Sequence, residues 1–221
     1  MPKQRFNKLS EEKRERIRQG ILRQLSETTL DNFSIKKMMA ELGIDRRNFL
    51  FYFNGIDDMV GFALQDYWEK EEETYRRIFV QESNIEFLNI IKIISELTEY
   101  AEKQQYLTIL KNISLSMKIS VKNSFELLTK DVEKIFYDLM PRVYALITRA
   151  GREIKNKPLL EKFFSNVISM CILIYRSTLS LVFCDYDHKV ELLKSLNTNL
   201  EIIETGVRQK IYDLTESLKD K

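Results

Sequence analysis

Residues 34–53 read SIKKMMAELGIDRRNFLFYF, and this stretch decides how the rest of the chain is read. Ile35, Met38, Met39 and Leu42 recur at i, i+3, i+4 and i+7, so one face of a helix is apolar while Lys36, Lys37 and Glu41 fall on the other. Ser34 precedes that helix as its N-cap, with a hydroxyl suited to the unpaired amides of the first turn. Gly43 ends it, because an abrupt turn after a helix commonly needs positive φ, which glycine adopts without a side-chain clash. Asp45 then caps a second helix whose first turn carries Arg46, Arg47 and Asn48. Two helices joined by so short a turn predict a helix-turn-helix, whose second helix meets base edges and phosphates in the DNA major groove. The candidate DNA contacts are Ser34, Lys36, Lys37, Arg46, Arg47, Asn48 and Tyr52.

Upstream, residues 2–9 are polar and basic, with Lys3, Arg5 and Lys8, and predict a flexible arm that either follows a DNA groove or stays solvated. Ser10 caps a helix to about Glu27, with Ile17, Ile21 and Leu25 inward and Arg14, Arg16, Arg18 and Arg23 outward. Downstream, Asn54 and Gly55 make a turn, and Asp57 and Asp58 begin a fourth helix where the helix dipole favours acids. Its inner face (Ile56, Met59, Val60, Ala63, Leu64, Tyr67) continues past Trp68 to Ile78. That predicts a lever running from a DNA-binding domain, residues 1–55, into a larger body, residues 56–221. Charge follows the same division: residues 1–53 hold twelve Lys and Arg against seven Asp and Glu, a net +5, which leaves −3 for the remainder.

Capped helix, Gly-Ile-Asp turn, short helix with an aromatic end and an acidic start to the next helix together resemble the TetR family of bacterial one-component regulators. In that family the turn is Gly-Val-Ser-like, the recognition helix closes on a Tyr-x-His-Phe-like signature, and the fourth helix opens on a Ser-Lys-Glu-x-Leu-like run. Gly43, Ile44, Asp45, Phe49, Phe53 and Met59 take the matching places. Leu50 stands where the family usually has a phosphate-contacting Tyr, Tyr52 where His is common, and Ile56 in place of a backbone-touching Lys. The resemblance implies an all-α fold: an N-terminal three-helix DNA-binding domain and a larger C-terminal helical domain for ligand binding and dimerisation.

The body supports the helical part of that reading independently. The chain has 221 residues with only 6 Gly and 3 Pro, no strand alternation and 44% hydrophobic residues, enough for a substantial core. Residues 163–184 are apolar on nearly all sides, and the last helix, about 187–218, carries Leu193, Leu196, Leu200, Ile203, Val207, Ile211, Leu214 and Leu218 as a helix-pair seam. One chain offers too little surface to cover both, which predicts a homodimer through these two helices, as the resemblance also implies. Arg176 and scattered Ser, Thr and Asn argue against a membrane span, and the charged N-terminal twenty residues are not a signal peptide. Cys171 and Cys184 lie within an apolar helix rather than a disulfide framework, so the predicted location is cytoplasmic.

Catalysis has little to draw on. His188 is the sole histidine, and there is no Cys-x-x-Cys, phosphate-cradling Gly-rich loop or paired-aspartate motif, so neither an enzyme nor a cofactor is expected. The 13 Phe, 10 Tyr and 7 Met instead allow an apolar or aromatic effector to be bound by Tyr106, Leu110, Met117, Tyr137, Met140, Tyr144, Met170 and Tyr175, although each of these also reads as core. The sequence therefore predicts a dimeric repressor released from a palindromic operator by a small effector. Leu50 and Ile56 support a second reading, a TetR-like protein with weakened DNA contact acting as a ligand-dependent partner of another regulator.

Overall fold

The computed structural model describes residues 2–45, 47–81, 89–116 and 137–217, and nearly all of its regular structure is helical. The described helices are α1 (Gln4–Asn7), α2 (Glu11–Glu27), α3 (Ile35–Glu41), α4 (Arg47–Tyr52), α5 (Ile56–Ala63), α6 (Gln65–Tyr75), α7 (Asn89–Lys103), α8 (Leu107–Ser114), α9 (137–149), α10 (Lys157–Cys184) and α11 (Lys189–Asp213). Residues divide between two compact units, Met1–Glu72 with Thr98–Ser120 and Glu73–Leu97 with Val121–Lys221. This structural division differs from the functional one read at residue 55, because later helices complete the first unit.

In the first unit α2 begins where expected: the Lys13 amide donates to Ser10 Oγ at 3.4 Å, and Glu11 and Glu12 occupy the dipole-favoured first turn. Ile17, Ile21 and Leu25 are buried. The far end of α2 is closed by α8, whose Asn112 Nδ2 donates to Leu25 O at 2.8 Å and Ser26 O at 3.2 Å, satisfying carbonyls that the helix itself leaves open. Two expectations are corrected. The segment 2–9 is no loose arm, because it winds into α1 and buries Phe6. The lever is not one uninterrupted helix either: the winding breaks at Leu64 (φ −108°, ψ 22°), between α5 and α6, and becomes π-helical over Arg76–Gln81.

In the second unit α10 starts with Asn156 Oδ1 accepting from the Leu159 amide at 3.0 Å, with Pro158 in the first turn where its missing N–H costs nothing. Leu160, Phe164, Val167, Ile168, Cys171, Leu179, Val182 and Phe183 are its buried side chains. Among the described residues α10 alone is long and apolar enough to cross a membrane by length and composition. A 3-10 turn, Tyr186–His188, leads into α11. There Leu196, Leu200, Val207 and Leu214 of the expected seam are already buried within one chain, Leu193, Ile203 and Ile211 are half-buried, and Leu218 lies outside the described residues. The expectation of no strand also needs correction: β1 (Arg152–Ile154) pairs antiparallel with β2 (Thr215–Ser217), Glu153 opposite Glu216. Three residues are too few for alternation to show in a sequence. Arg152 holds the ribbon, stacking its guanidinium 4.1 Å from the Tyr212 ring centroid and donating to Tyr212 O and Thr215 O.

Leu200 has no exposed surface. Leu200→Ala should therefore lower the unfolding free energy by about 2–5 kcal/mol in urea denaturation, by the same amount at any protein concentration. A loss seen only at low concentration would assign Leu200 to a subunit interface instead.

Candidate nucleic-acid interface

The helix-turn-helix is built on α2. Ser34 Oγ accepts from the Lys37 amide at 3.2 Å and starts α3. The buried Gln24 amide, with its nitrogen toward Ser34 O, pairs with both the carbonyl and the N–H of Ser34 at 3.2 Å, so the same residue is anchored to α2. At the other end Gly43 takes φ 66°, and the Ile44 amide reaches back to Met39 O at 2.8 Å, the left-handed helix stop expected of glycine. Arg16 Nη2 donates to Leu42 O at 2.9 Å. A side chain on Gly20 would lie 3.0 Å from Leu42, which explains why α2 and this corner approach so closely.

Asp45 then restarts the chain as expected, its Oδ1 accepting from the Arg47 amide at 2.8 Å. Helix α4 presents two sides. Inward, Phe49 and Phe53 are buried, and Phe6 of α1 sits among Phe53, Phe62 and Tyr52 at centroid distances of 5.0, 4.6 and 5.6 Å. Outward lie Arg47 (86% exposed side chain), Leu50 (67%) and Phe51 (46%). The end of α4 is closed by the N-terminal segment: Lys3 N–H donates to Tyr52 O and Lys3 Nζ to Leu50 O, both at 2.8 Å, while the Arg5 guanidinium lies 4.7 Å from the Phe51 ring centroid. Phe6, Lys3 and Arg5 are thus structural partners of α4 that the sequence reading missed. The one aromatic residue in an otherwise basic arm was the available signal.

Of the candidate contacts, Lys36, Lys37 and Arg47 are exposed, Asn48 and Tyr52 are half-buried, Ser34 is spent on the cap, and Arg46 lies outside the described residues. Lys37 is near Glu41 and Glu27, 3.9 and 4.0 Å away. Arg47 forms a two-point pair with Asp45, Nη2 to Oδ2 at 2.8 Å and Nε to Oδ1 at 3.2 Å. An exposed pair of this kind contributes little and can be exchanged for a phosphate or a guanine edge. The Arg47 side-chain and main-chain donors hold the Asp45 carboxyl down to about 2.

The residues read as effector contacts fall in both units. Tyr106 and Leu110 belong to the first, where both are buried. The Tyr106 hydroxyl accepts from Arg18 Nη2 and donates to Asp66 Oδ2, each at 2.8 Å, and Arg18 also pairs with Asp66 Oδ1 at 2.8 Å. Burial, then the bond to Asp66, pushes the phenol up to about 12. In the second unit Met140 is buried, Tyr137 and Met170 are exposed, and Tyr175 is half-buried with the Arg176 guanidinium 5.4 Å from its ring centroid. Tyr144 bonds Glu161 through its hydroxyl and lies beneath Lys157; burial first, then that bond, raises it to about 12. Met117 lies outside the described residues. Two open clefts beside α2 and α3, with Arg23 and Glu41 in the lining of both, involve none of the eight. At the start of α11 the exposed His188 is 2.8 Å from Asp185, and the described residues contain no group of three potential metal ligands.

The chain matches no family model and no curated protein. Among solved structures it is similar to the crystal structure of a tetR-family transcriptional regulator from Streptomyces coelicolor, with 16% identity, a TM-score of 0.42, and 93% of this chain and 90% of that one covered. So distant a likeness carries no functional weight, and the reading below rests on α2 to α4.

Because the Asp45 carboxyl titrates below its ordinary value, the stability that the pair contributes is complete above about pH 4 and is lost as pH falls toward 2. Carboxyl-carbon NMR should give a midpoint near 2 for Asp45, and Arg47→Ala should move it upward. A midpoint in the ordinary carboxylate range for the unaltered protein would mean that the pair does not form in solution.

Proposed function

We propose that this chain is a TetR-type transcriptional regulator that binds an inverted-repeat operator on double-stranded DNA as a homodimer. It acts as a cytoplasmic repressor, with residues 1–55 binding DNA and residues 56–221 taking up a small apolar or aromatic effector and forming the dimer. Its role is binding rather than catalysis, and no cofactor is required. The observation that carries this reading is α4: a short helix held on its inner side by an aromatic cluster, exposing Arg47 on its outer side, and directly preceded by a capped helix bearing exposed Lys36 and Lys37. The apolar Leu50 and Phe51 on the same outer side favour the second reading, in which α4 meets another regulator and DNA contact is weak.

Selection of bound sites from random duplex DNA separates the two. The first reading expects an enriched palindrome whose half-sites lie about 34–36 Å apart or at a multiple of that spacing. Arg47→Ala should then relax one base position at a cost of about 5- to 150-fold in affinity, whereas Lys36→Ala should weaken all sequences alike and flatten the salt dependence. Failure to enrich any sequence would put the partner reading ahead.

The dimer is supported by α10. Leu159, Met170, Leu173 and Leu181 are each 40–55% exposed and fall within about 80° of one another at 3.6 residues per turn, an apolar stripe interrupted by exposed Asn166 and Ser177. Charges placed there would lose solvation at a subunit interface. A Leu173→Asp, Leu181→Asp variant should sediment as a folded monomer and lose preference for paired half-sites. If it remains a dimer, the interface lies elsewhere.

A further inference from the structure

The outer side of α4 carries more than charge. Arg47, Leu50 and Phe51 stand at i, i+3 and i+4 and so share one face, and two of the three are large apolar side chains left in solvent. They are bracketed by cations: Arg47 one turn before, Lys3 with its ammonium on the Leu50 carbonyl, and Arg5 over the Phe51 ring. The direction of the pair is set by the opposite side of the helix, where Phe49 and Phe53 are buried and Phe53 lies 5.0 Å from Phe6.

A leucine side chain can neither donate to a phosphate nor bond a base edge. The one apolar feature that a base pair offers in the major groove is a methyl group on C5 of a pyrimidine, that of thymine in ordinary DNA and of 5-methylcytosine where cytosine is modified. Cations on both sides of an exposed aliphatic group suit that environment, since they bring the face against the polyanion while the apolar group meets the methyl. We propose that Leu50, with Phe51 beside it, reads pyrimidine C5-methyl groups in the major groove and so sets part of the operator sequence. The inference rests on the DNA-binding reading above and assigns it a determinant that makes no hydrogen bond.

The test uses the full chain and the site enriched from random duplex DNA, with each thymine in turn replaced by deoxyuridine, which removes only the methyl. At one or two positions per half-site the affinity should fall about fourfold, the value of one methyl-sized group taken from water. At those same positions a 5-methylcytosine·guanine pair should bind better than cytosine·guanine by a similar factor. Leu50→Ala, at an exposed site that leaves the fold intact, should abolish both differences while keeping the salt dependence of the unaltered protein. An enriched site indifferent to every deoxyuridine replacement would overturn the methyl reading and leave DNA binding standing, as would no gain from 5-methylcytosine over cytosine. Undiminished discrimination in Leu50→Ala would remove Leu50 from the role. Failure to enrich any site would overturn the DNA-binding reading and this inference together.

Discussion

Helix α4 has six residues, too few to hold helical geometry alone in water, so whatever it presents depends on what it is packed against. That support is the aromatic cluster around Phe6, in which Phe49 and Tyr52 of α4 and Phe53 just after it meet Phe62 of α5 and a ring from the N-terminal segment. Such ring pairs contribute about 0.5–1.5 kcal/mol each beyond the area they bury, and their edge-to-face and tilted geometries restrict rotation of the helix about its axis. Lys3 acts at the same place through hydrogen bonds, taking two of the last carbonyls of α4. The direction in which Arg47 and Leu50 point is a consequence of these contacts.

The cations of the first unit separate by the environment of their partners. Arg16 and Arg18 are committed to the fold, one closing the end of α3 at Leu42 O and the other joining Ala63 O, Asp66 and Tyr106 from α2. Arg47 and Lys37 have carboxylate partners too, but in solvent, where a pair is readily exchanged for a phosphate. A count of basic residues treats all of these alike. Of these four, only the second two are available to a polyanion.

In the second unit the division of apolar surface is different from the one a helical pattern implies. Leu196, Leu200 and Val207 of α11 turn inward and are buried within the chain, while the less regular stripe of α10 is left facing out. The ribbon between β1 and β2, held by Arg152 against Tyr212, ties the end of α11 to the segment before α10.

Local patterns were legible in the sequence wherever a local rule governs them. Ser10, Ser34 and Asn156 sit at helix starts because their side chains satisfy amides within the same turn, and Gly43 takes positive φ because a side chain there would be strained. What the sequence could not indicate were contacts between residues far apart in the chain. Phe6 looked like part of a solvated arm because its partners lie more than forty residues away, and the bonds of the Tyr106 hydroxyl to Arg18 and Asp66, 88 and 40 residues distant, left no local pattern. The sequence by itself determined the helices, their caps and the helix-turn-helix; the tertiary structure decided which faces those helices bury and which they leave exposed. The physical reason is that capping and periodicity act over one or two turns, whereas burial depends on which distant surface arrives to exclude water.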